Sequence, residues 1–279
     1  MVKTQPASVV SCRITKVNAA TTSETGDFLA VEEPLEIRIA YQESGRAHWK
    51  TISVTMRTPG NDRELAAGFL FTEGIIQSIN DIKKIESSVF EENLVLVTLS
   101  DSCSPNLHTS ERNFYTTSSC GVCGKTSIDA ITTVLPFNLP NTLHVNRELL
   151  FTLGARLSGQ QNIFEETGGL HAASLFAHEG TLLHLCEDVG RHNALDKLIG
   201  AALLADQLPL AGKILLLSGR ASFELIQKAL MAGIELVAAI GAPSSLAVKL
   251  AEAHHLTLVG FLKNDRFNVY TGYHRITGL

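Results

Sequence analysis

Residues 213–262 read KILLLSGRASFELIQKALMAGIELVAAIGAPSSLAVKLAEAHHLTLVGFL, and this stretch decides the fold. Three short apolar runs, KILLLS, IELVAAI and LTLVGFL, are separated by two segments, SFELIQKALMAG and SSLAVKLAEAHH, whose apolar residues recur at helical spacing. Continuous apolar strands that alternate with amphipathic helices are typical of a parallel or mixed sheet covered on both faces. The sequence therefore predicts an α/β domain around these strands.

The same domain is predicted to begin near residue 141 and to run to residue 279. Residues 147–169, RELLFTLGARLSGQQNIFEETGG, predict one helix closed by glycines. Residues 171–189, HAASLFAHEGTLLHLCEDV, predict a hairpin around Glu179 and Gly180, with Cys186 as a buried strand thiol. Residues 190–208, GRHNALDKLIGAALLADQL, predict a helix that begins between Arg191 and Asn193.

A smaller α+β domain is predicted over residues 31–140. Residues 35–59 alternate apolar and polar side chains on either side of Ser44 and Gly45, which indicates a hairpin. Residues 60–76, GNDRELAAGFLFTEGII, predict a helix, and DIKKIES and NLVLVTLS predict two further strands. A polar stretch then leads to SSCGVCGKT, residues 118–126, and to a short helix ended by Pro136. Residues 1–30 are rich in Ser and Thr with weak periodicity, and we expect them to be irregular.

Composition excludes several classes of function. The 279 residues are 45% hydrophobic and 18% charged, with a net charge of -5, which argues against nonspecific nucleic-acid binding through clustered Lys and Arg. No secretory signal or apolar run of about 20 residues is present, so we expect a cytoplasmic protein that does not enter a membrane. Five cysteines, an odd and low number, fit a reducing compartment, where CxxC indicates redox, metal or sulfur chemistry.

A ligand site is predicted where the apolar strands end. Open α/β sheets bind ligands beyond the carboxyl ends of their strands, and here those ends read SGRAS (218–222), GAPSS (241–245) and KNDR (263–266). Glycines permit a close backbone approach, helix N-termini present free N–H groups to anions, and Arg and Lys add cationic donors. These features predict a phosphate or nucleotide pocket formed by Ser218, Gly219, Arg220, Ser222, Lys263 and Arg266. The alternative is that short βα loops need small residues and serines in any case.

The segment EDVGRHNALDK, residues 187–197, clusters ionisable side chains at the start of a predicted helix. We interpret the cluster as a wall of the pocket, since nothing in the sequence supplies a proton-transfer task; its members are Glu187, Asp188, Arg191, His192 and Asp196. A structural histidine at the helix start is the alternative interpretation of His192.

Cys120 and Cys123 lie between glycines and directly before Lys125. A zinc site would need two more ligands, a Walker loop would need a glycine in place of Ser119, and a thioredoxin-type dithiol would need a βαβ frame. The remaining chemistry is sulfur transfer, in which a thiolate attacks a persulfide. A helix N-terminus or a nearby cation would favour ionisation of the thiol. Incidental cysteines in a loop are the other possibility. Cys12 and Cys103 carry no partner spacing.

The order of five motifs, ELAAGFLFTEGII, CGVCG, EDVGRHNALDK, SGRASFELIQKALMAGIE and LTLVGFLKNDRFNVY, resembles the FdhD/NarQ family of sulfur carriers for formate dehydrogenase. The resemblance spans nearly the whole chain from about residue 30. It implies a cytidine-deaminase-like three-layer α/β/α fold for the C-terminal domain, without the hydrolytic zinc site, and a homodimer.

The resemblance also implies an activity. Family members accept persulfide sulfur from a cysteine desulfurase and pass it to the bis(molybdopterin guanine dinucleotide) molybdenum cofactor, before that cofactor enters the formate dehydrogenase apoprotein. By motif, Cys120 resembles the persulfide-bearing cysteine and Cys123 its partner. FLKNDR matches the cofactor-binding segment, which comprises Phe261, Leu262, Lys263, Asn264, Asp265 and Arg266. A chaperone that only binds the molybdenum cofactor, or a dithiol oxidoreductase, remains an alternative.

Overall fold

The computed structural model describes residues 8–87, 93–107, 135–157 and 160–279. Cys120, Cys123 and Lys125 lie outside these ranges, as do residues 127–134 of the short helix predicted after them. The predicted nucleotide pocket lies within them. The structure therefore describes the predicted pocket and the residues on either side of the segment 108–134.

A two-stranded antiparallel ribbon, β1 (Val9–Val17) and β2 (Thr22–Ala30), opens the chain. The prediction of an irregular segment over residues 1–30 is therefore wrong for its described part. The Asn18 side-chain oxygen accepts hydrogen bonds from the backbone N–H groups of Ala20 and Thr21, at 2.9 and 2.8 Å, and so fixes the turn. Val, Ile and Thr on the strands favour extended backbone. Most residues of the ribbon are exposed on both faces. Its sequence therefore shows little of the alternation between apolar and polar residues that identifies a strand.

A mixed four-stranded sheet follows, and it confirms the predicted hairpin, helix and two strands. It is built from β3 (Glu33–Glu43), β4 (Arg46–Arg57), β5 (Ile82–Ser87) and β6 (Leu94–Leu99), in the order β4-β3-β6-β5, with α1 (Asp62–Thr72) between β4 and β5 in sequence. Ser44 and Gly45 form the hairpin turn with positive φ. Alternate residues of β3, including Leu35, Ile37 and Ile39, are buried in the core.

The rest of the chain forms an α/β unit. Its elements are β7 (Val145–Asn146), α2 (Arg147–Leu157), α3 (Asn162–Thr167), β8 (His171–Ala177), β9 (Leu182–Asp188), α4 (Arg191–Leu204), β10 (Lys213–Leu217), α5 (Phe223–Met231), β11 (Leu236–Ala239), α6 (Ser245–Ala253), β12 (Thr257–Gly260), β13 (Asn268–Thr271) and β14 (Ile276–Thr277). Six of the strands form one sheet in the order β13-β12-β11-β10-β8-β9, in which β10, β11 and β12 run parallel.

Helices cover both faces of this sheet. One hydrophobic cluster joins alternate residues of β10 and β11, such as Leu215 and Val237, to α4, α5 and α6. A second cluster joins the intervening residues, such as Leu216 and Ala238, to α2. Strands buried on both faces explain the continuous apolar runs in the sequence. The predicted three-layer α/β/α arrangement and the α+β character of the N-terminal part are both confirmed.

The single helix predicted over residues 147–169 is two helices, α2 and α3. The backbone N–H of Gln160, after α2, donates to the carbonyl of Leu157 at 3.1 Å. The sequence between the two helices, SGQQ, begins with Ser-Gly, and glycine is unfavourable in a helix interior. As predicted, a glycine ends the second helix, since Gly168 adopts a φ of 66°.

The two parts of the chain share one core. Helix α1 crosses α4 where Gly68 meets Gly200, and a Cβ built on Gly200 would overlap the backbone of Glu64. The larger hydrophobic cluster contains residues of both sheets. The four-stranded sheet is therefore packed against the α4 side of the six-stranded sheet. None of the helices in the described ranges has the length and apolar character needed to span a bilayer.

Candidate functional site

Backbone hydrogen bonds connect the three predicted loops in series at the carboxyl ends of β10, β11 and β12. The N–H of Gly241 donates to the carbonyl of Gly219 at 2.9 Å, and the N–H of Phe261 donates to the carbonyl of Gly241 at 3.1 Å. A Cβ built on Gly241 would lie 3.0 Å from the carbonyl oxygen of Gly219, so a glycine favours this close backbone approach. Ser218, Gly219, Arg220 and Phe261 thus lie along one edge of the sheet, as the sequence predicts.

The segment from Phe261 to Arg266 presents most of its side chains to solvent. Phe261 is 43% exposed, and Lys263, Asn264, Asp265 and Arg266 are exposed as well. The N–H of Lys263 donates to the carbonyl of Arg266 at 2.9 Å, which closes the segment into a turn. Leu262 differs, because its side chain is 1% exposed and packs in the second hydrophobic cluster. Its contribution to a ligand site is therefore limited to its backbone.

Helix α2 forms the adjacent wall of this edge. A Cβ built on Gly154 of α2 would lie 3.8 Å from Oδ1 of Asn264 and 4.0 Å from Cδ1 of Ile240. Ile240 follows β11 and is 36% exposed, so an accessible apolar surface lies beside Asn264 and Phe261. Such a surface, with one amide beside it, is suited to a flat aromatic ring.

His192 and Ser222 meet at the N-termini of α4 and α5. The His192 Nε2 atom lies 3.4 Å from Ser222 Oγ and 2.9 Å from Glu224 Oε2. Both side chains of this contact are largely buried, with His192 and Glu224 17% and 14% exposed. Glu224 therefore fixes the orientation of the His192 ring. The sequence predicted His192 and Ser222 for the site but missed Glu224, although it lies two residues after Ser222.

Two of the three acidic residues of the 187–197 cluster, Asp188 and Asp196, are buried and do not form a pocket wall, so that part of the prediction is wrong. Asp188 is fully buried and pairs with Lys197, with Nζ 2.7 Å from Oδ2. Asp196 is buried and accepts from Lys228 Nζ at 2.9 Å. Glu187 accepts from the backbone N–H of Phe164 at 2.9 Å. The buried charges of Asp188 and Asp196 need such partners, and the sequence gives no sign of which lysine will supply them.

Asp188 also fixes the turn that carries Arg191 and His192. Its carboxylate accepts from the backbone N–H groups of Gly190, at 2.8 Å, and Thr58, at 3.2 Å. The Asn193 side chain donates to the same carboxylate at 3.1 Å. The buried carboxylate of Asp188 therefore positions the start of α4 and connects it to β4 and to the loop that follows β4.

His171 is a site residue that the sequence interpretation missed. Antiparallel pairing of β8 with β10 places it opposite Gly219, and a Cβ built on Gly219 would lie 3.3 Å from His171 Nδ1. Burial lowers the pKa of His171, and the nearby positive charges of Arg191, His192 and Arg220 lower it further, with Asp188 acting in the opposite direction. The available signal was its position as the first residue of the predicted hairpin.

The described chain re-enters on the far side of the six-stranded sheet from these loops. Leu107 and Leu135, at the two ends of the undescribed segment, pack against the larger hydrophobic cluster. Phe137 faces Gly233, and Glu235 accepts from the N–H of Thr142 at 3.1 Å. Gly233 and Glu235 directly precede β11, so the chain re-enters at the amino end of that strand.

The arrangement at the carboxyl edge offers two kinds of binding surface. One contains the cationic side chains around Gly219, and the other contains the exposed apolar side chains beside Asn264. The predicted cofactor-binding residues are therefore gathered on one edge, whereas the predicted thiols lie outside the described ranges.

Comparisons with known proteins identify relatives over nearly the full length. The model of the FdhD/NarQ family matches residues 30–277. A protein of Streptomyces avermitilis named sulfur carrier protein FdhD is 47% identical, over 95% of this chain and 94% of that protein. Proteins of the same name from Mycobacterium tuberculosis and Sulfurisphaera tokodaii are 47% and 41% identical, over 90% and 95% of this chain and 92% and 97% of theirs.

A solved structure shares the fold. A crystal structure of a Desulfotalea psychrophila protein, described as a candidate formate dehydrogenase accessory protein, superposes with a TM-score of 0.72 over 97% of this chain and 100% of that one, at 21% identity. The family match covers the chain from the last residue of β2 to β14, so it includes both sheets and every loop of the candidate site. The chain belongs to the FdhD/NarQ family.

Proposed function

We propose that the chain is a sulfur carrier, a sulfurtransferase that works through a cysteine persulfide. It accepts sulfur from a cysteine desulfurase and transfers it to the bis(molybdopterin guanine dinucleotide) molybdenum cofactor, before that cofactor is inserted into formate dehydrogenase. The observation that carries the proposal is membership of a family whose relatives, 41–47% identical over at least 90% of the chain, are named sulfur carriers. The CxxC at Cys120 and Cys123 provides the thiols.

In the first step the thiolate of Cys120 attacks the terminal sulfur of a persulfide on the desulfurase. A new S–S bond forms on Cys120 while the S–S bond of the desulfurase breaks, and the desulfurase cysteine leaves as a thiolate. No external oxidant is needed, because the transferred sulfur keeps its oxidation state. Lys125 and the neighbouring glycines favour a reactive and accessible thiolate.

In the second step sulfur leaves as sulfide for the metal of the cofactor, which is the cargo of the reaction. Attack of the Cys123 thiolate on Cys120 Sγ forms a Cys120–Cys123 disulfide and expels the terminal sulfur with the bonding electron pair. A cellular thiol then reduces the disulfide and restores both cysteines. Two thiols three positions apart are suited to this exchange.

The cofactor would be bound as cargo at the carboxyl edge described above. The helix N-termini and serines of the loops after β10 and β11, together with Arg220 after β10, suit nucleotide phosphates, and the segment Phe261–Arg266 adds exposed polar and aromatic groups. A cofactor with two guanine nucleotide arms suits a homodimer with one such edge per subunit. A cytoplasmic location, where the desulfurase and the apoprotein meet the carrier, belongs to the same proposal.

The length of the thiol segment permits the transfer. Cys120 lies 13 positions after Leu107, and Cys123 lies 12 positions before Leu135. At ~3.3 Å per residue, either thiol can lie up to about 40 Å from its anchor. The strands that separate the two edges are only about 17 Å long by the same rise per residue. Chain length therefore allows the thiols to reach the cofactor edge of the same subunit.

The proposal is tested in cells that lack the endogenous carrier. We expect Cys120→Ala to abolish formate dehydrogenase activity, because no persulfide can form on the carrier. Cys103→Ala is the matched control, since Cys103 is a buried thiol of the four-stranded part, and it is expected to retain activity. Unchanged activity in Cys120→Ala would reject sulfur transfer through this residue.

Two other functions predict different results. A chaperone that only holds the cofactor would carry no transferable sulfur after incubation with a desulfurase and cysteine. A dithiol oxidoreductase would show a reversible Cys120–Cys123 disulfide with a defined reduction potential and would not gain sulfur. Full activation of formate dehydrogenase by a carrier that cannot be loaded with sulfur would favour the chaperone.

A further inference from the structure

The ribbon of β1 and β2 is a sheet of two strands whose outer edges are unpaired. Within the described ranges no third strand joins it, so one edge of each strand presents backbone N–H and C=O groups to its surroundings. Each strand has nine residues, which corresponds to a length of about 30 Å at ~3.4 Å per residue. A ribbon of only two strands is at best marginally stable in water. A partner that pairs with an edge would therefore stabilise it.

The rest of the described chain covers only part of the ribbon. Helix α3 packs against β2, but its six residues span about 9 Å at ~1.5 Å per residue. At the base of the ribbon, the Ser8 hydroxyl donates to the carbonyl of Pro59 at 2.9 Å. The main contacts of β1 are with β2. Among the described residues, the outer edge of β1 is therefore not paired with another strand.

The base of the ribbon lies beside the carboxyl edge of the six-stranded sheet. A Cβ built on Gly169 would lie 3.7 Å from Cβ of Ala30, the last residue of β2. Gly169 comes two residues before His171, and His171 faces Gly219 in the loop after β10. A protein bound along the ribbon would therefore contact the carrier next to the edge that holds the cofactor under the proposed function.

The side chains of β1 give its free edge a positive charge. Its sequence, VVSCRITKV, contains Arg13 and Lys16 and no acidic residue. Both cations are exposed, and within the described ranges neither makes a hydrogen bond or an ion pair with another residue. Opposite charges on neighbouring strands stabilise strand pairing, whereas like charges oppose it. The edge of β1 is therefore complementary to an acidic strand.

Protection against aggregation is the alternative role of the two cations, because charged residues on an exposed edge discourage edge-to-edge association. The apolar residues of the ribbon do not serve that role. Val10 and Leu29 are cross-strand partners and are 51% and 48% exposed, and Val17 at the end of β1 is 70% exposed. Unpaired cations beside exposed apolar side chains are the features with which an edge strand selects a strand that adds to it.

We propose that the free edge of β1 binds an extended acidic segment of the apoprotein that receives the cofactor, as a third strand of the ribbon. Arg13 and Lys16 are three positions apart, so the segment carries two acidic side chains at the same separation. An apolar residue between them lies beside Ile14. The identity of the partner, formate dehydrogenase apoprotein, rests on the proposed function. The edge itself rests on the contacts and charges of the described residues.

The test is binding of the full-length carrier to formate dehydrogenase apoprotein purified from cells that lack the carrier, measured by biolayer interferometry. A double variant, Arg13→Glu with Lys16→Glu, reverses the charge of the edge and keeps it charged, so it is compatible with folding and with solubility. We expect it to bind the apoprotein at least about tenfold more weakly than the wild-type carrier, as expected when two cross-strand charge pairs become repulsive.

Lys83→Glu is the matched control for reversal of a positive charge. Lys83 lies on β5 of the four-stranded sheet, and its side chain is 59% exposed. This variant should bind the apoprotein like the wild-type carrier. If the two cations of β1 only prevent aggregation, the double variant would bind normally as well, and that result would overturn the proposal. Absence of measurable binding by the wild-type carrier would also overturn it.

Two further readouts separate strand pairing from other contacts. Wild-type affinity should fall as the salt concentration rises from about 50 mM to about 500 mM, and the double variant should lose this dependence. Amides of residues 9–17 should exchange hydrogen more slowly in the complex, because a third strand accepts from the outward N–H groups of β1. Unchanged exchange over residues 9–17 would contradict pairing at this edge.

The two proposals can fail separately. The double variant keeps Cys120 and Cys123, so it should still gain sulfur from a desulfurase. If Cys120→Ala still activates formate dehydrogenase while the double variant loses apoprotein binding, sulfur transfer fails and the binding edge stands. If Cys120→Ala is inactive while the double variant binds the apoprotein normally, the binding edge is wrong and the sulfur carrier is retained.

Discussion

Replacing Lys197 with Met should destabilise the protein by about 3 kcal/mol. Lys197 and Asp188 side chains are 3% and 0% exposed, and their charged atoms lie 2.7 Å apart. Removal of one partner of a buried ion pair typically costs about 3–5 kcal/mol, because the other charge stays buried. We expect the low end of that range, since Asp188 keeps hydrogen bonds from Thr58, Gly190 and Asn193.

Thermal unfolding followed by circular dichroism measures this effect. A loss of about 3 kcal/mol corresponds to a drop of roughly 6–12 °C in Tm for a chain of this size. Lys83→Met makes the same substitution in an exposed pair, with side chains 59% and 73% exposed and atoms 3.5 Å from those of Asp101, and should change stability by less than about 1 kcal/mol. If the two variants unfold at the same temperature, the Lys197 pair is not the buried anchor of the α4 turn that we describe.

Three further predictions follow from the packing. Gly200→Ala should destabilise by about 1–3 kcal/mol in urea unfolding, because a Cβ there overlaps the backbone of α1, whereas Gly26→Ala, with open space around it, should have little effect. Burial raises the pKa of Cys103 to about 11 and that of Cys186 to about 12, so iodoacetamide at pH 8 should label neither thiol until the protein is denatured. Because burial lowers the pKa of His171 in the folded protein, the unfolded chain binds that proton more tightly; stability should therefore fall from pH 8 to pH 6, and His171→Gln should reduce the slope. Labelling of native Cys103, an unaffected Gly200→Ala variant or an identical pH slope would each contradict the corresponding reasoning.

Local pattern was sufficient to predict the parallel strands and their helices. The apolar runs of β10, β11 and β12 are buried on both faces, and backbone hydrogen bonds join the loops that follow them. The position of the ligand edge then follows from topology, because the carboxyl ends of parallel strands lie together. For this reason Ser218, Gly219 and Phe261 were predicted to lie along one edge.

Partners that depend on tertiary structure could not be predicted. Asp188 and Asp196 are charged residues near a helix start, a pattern typical of a polar surface, and only the assembled fold buries them beside Lys197 and Lys228. His171 reaches the site through antiparallel pairing with β10, which periodicity does not specify.

The ribbon β1–β2 was missed for a different reason. Most of its residues are exposed, so the contrast between apolar and polar faces that identifies a strand is weak. The remaining indications of this ribbon in the sequence were Asn18 at the turn and the β-branched residues of the strands. Both indicate local structure only.

Mass spectrometry of the purified protein, after incubation with a cysteine desulfurase and cysteine, tests sulfur carriage most directly. We predict a gain of about 32 Da on the peptide that contains Cys120 and Cys123, removable by a thiol reductant and absent from Cys120→Ala. Complete loading of the desulfurase with no added sulfur on that peptide would contradict the account.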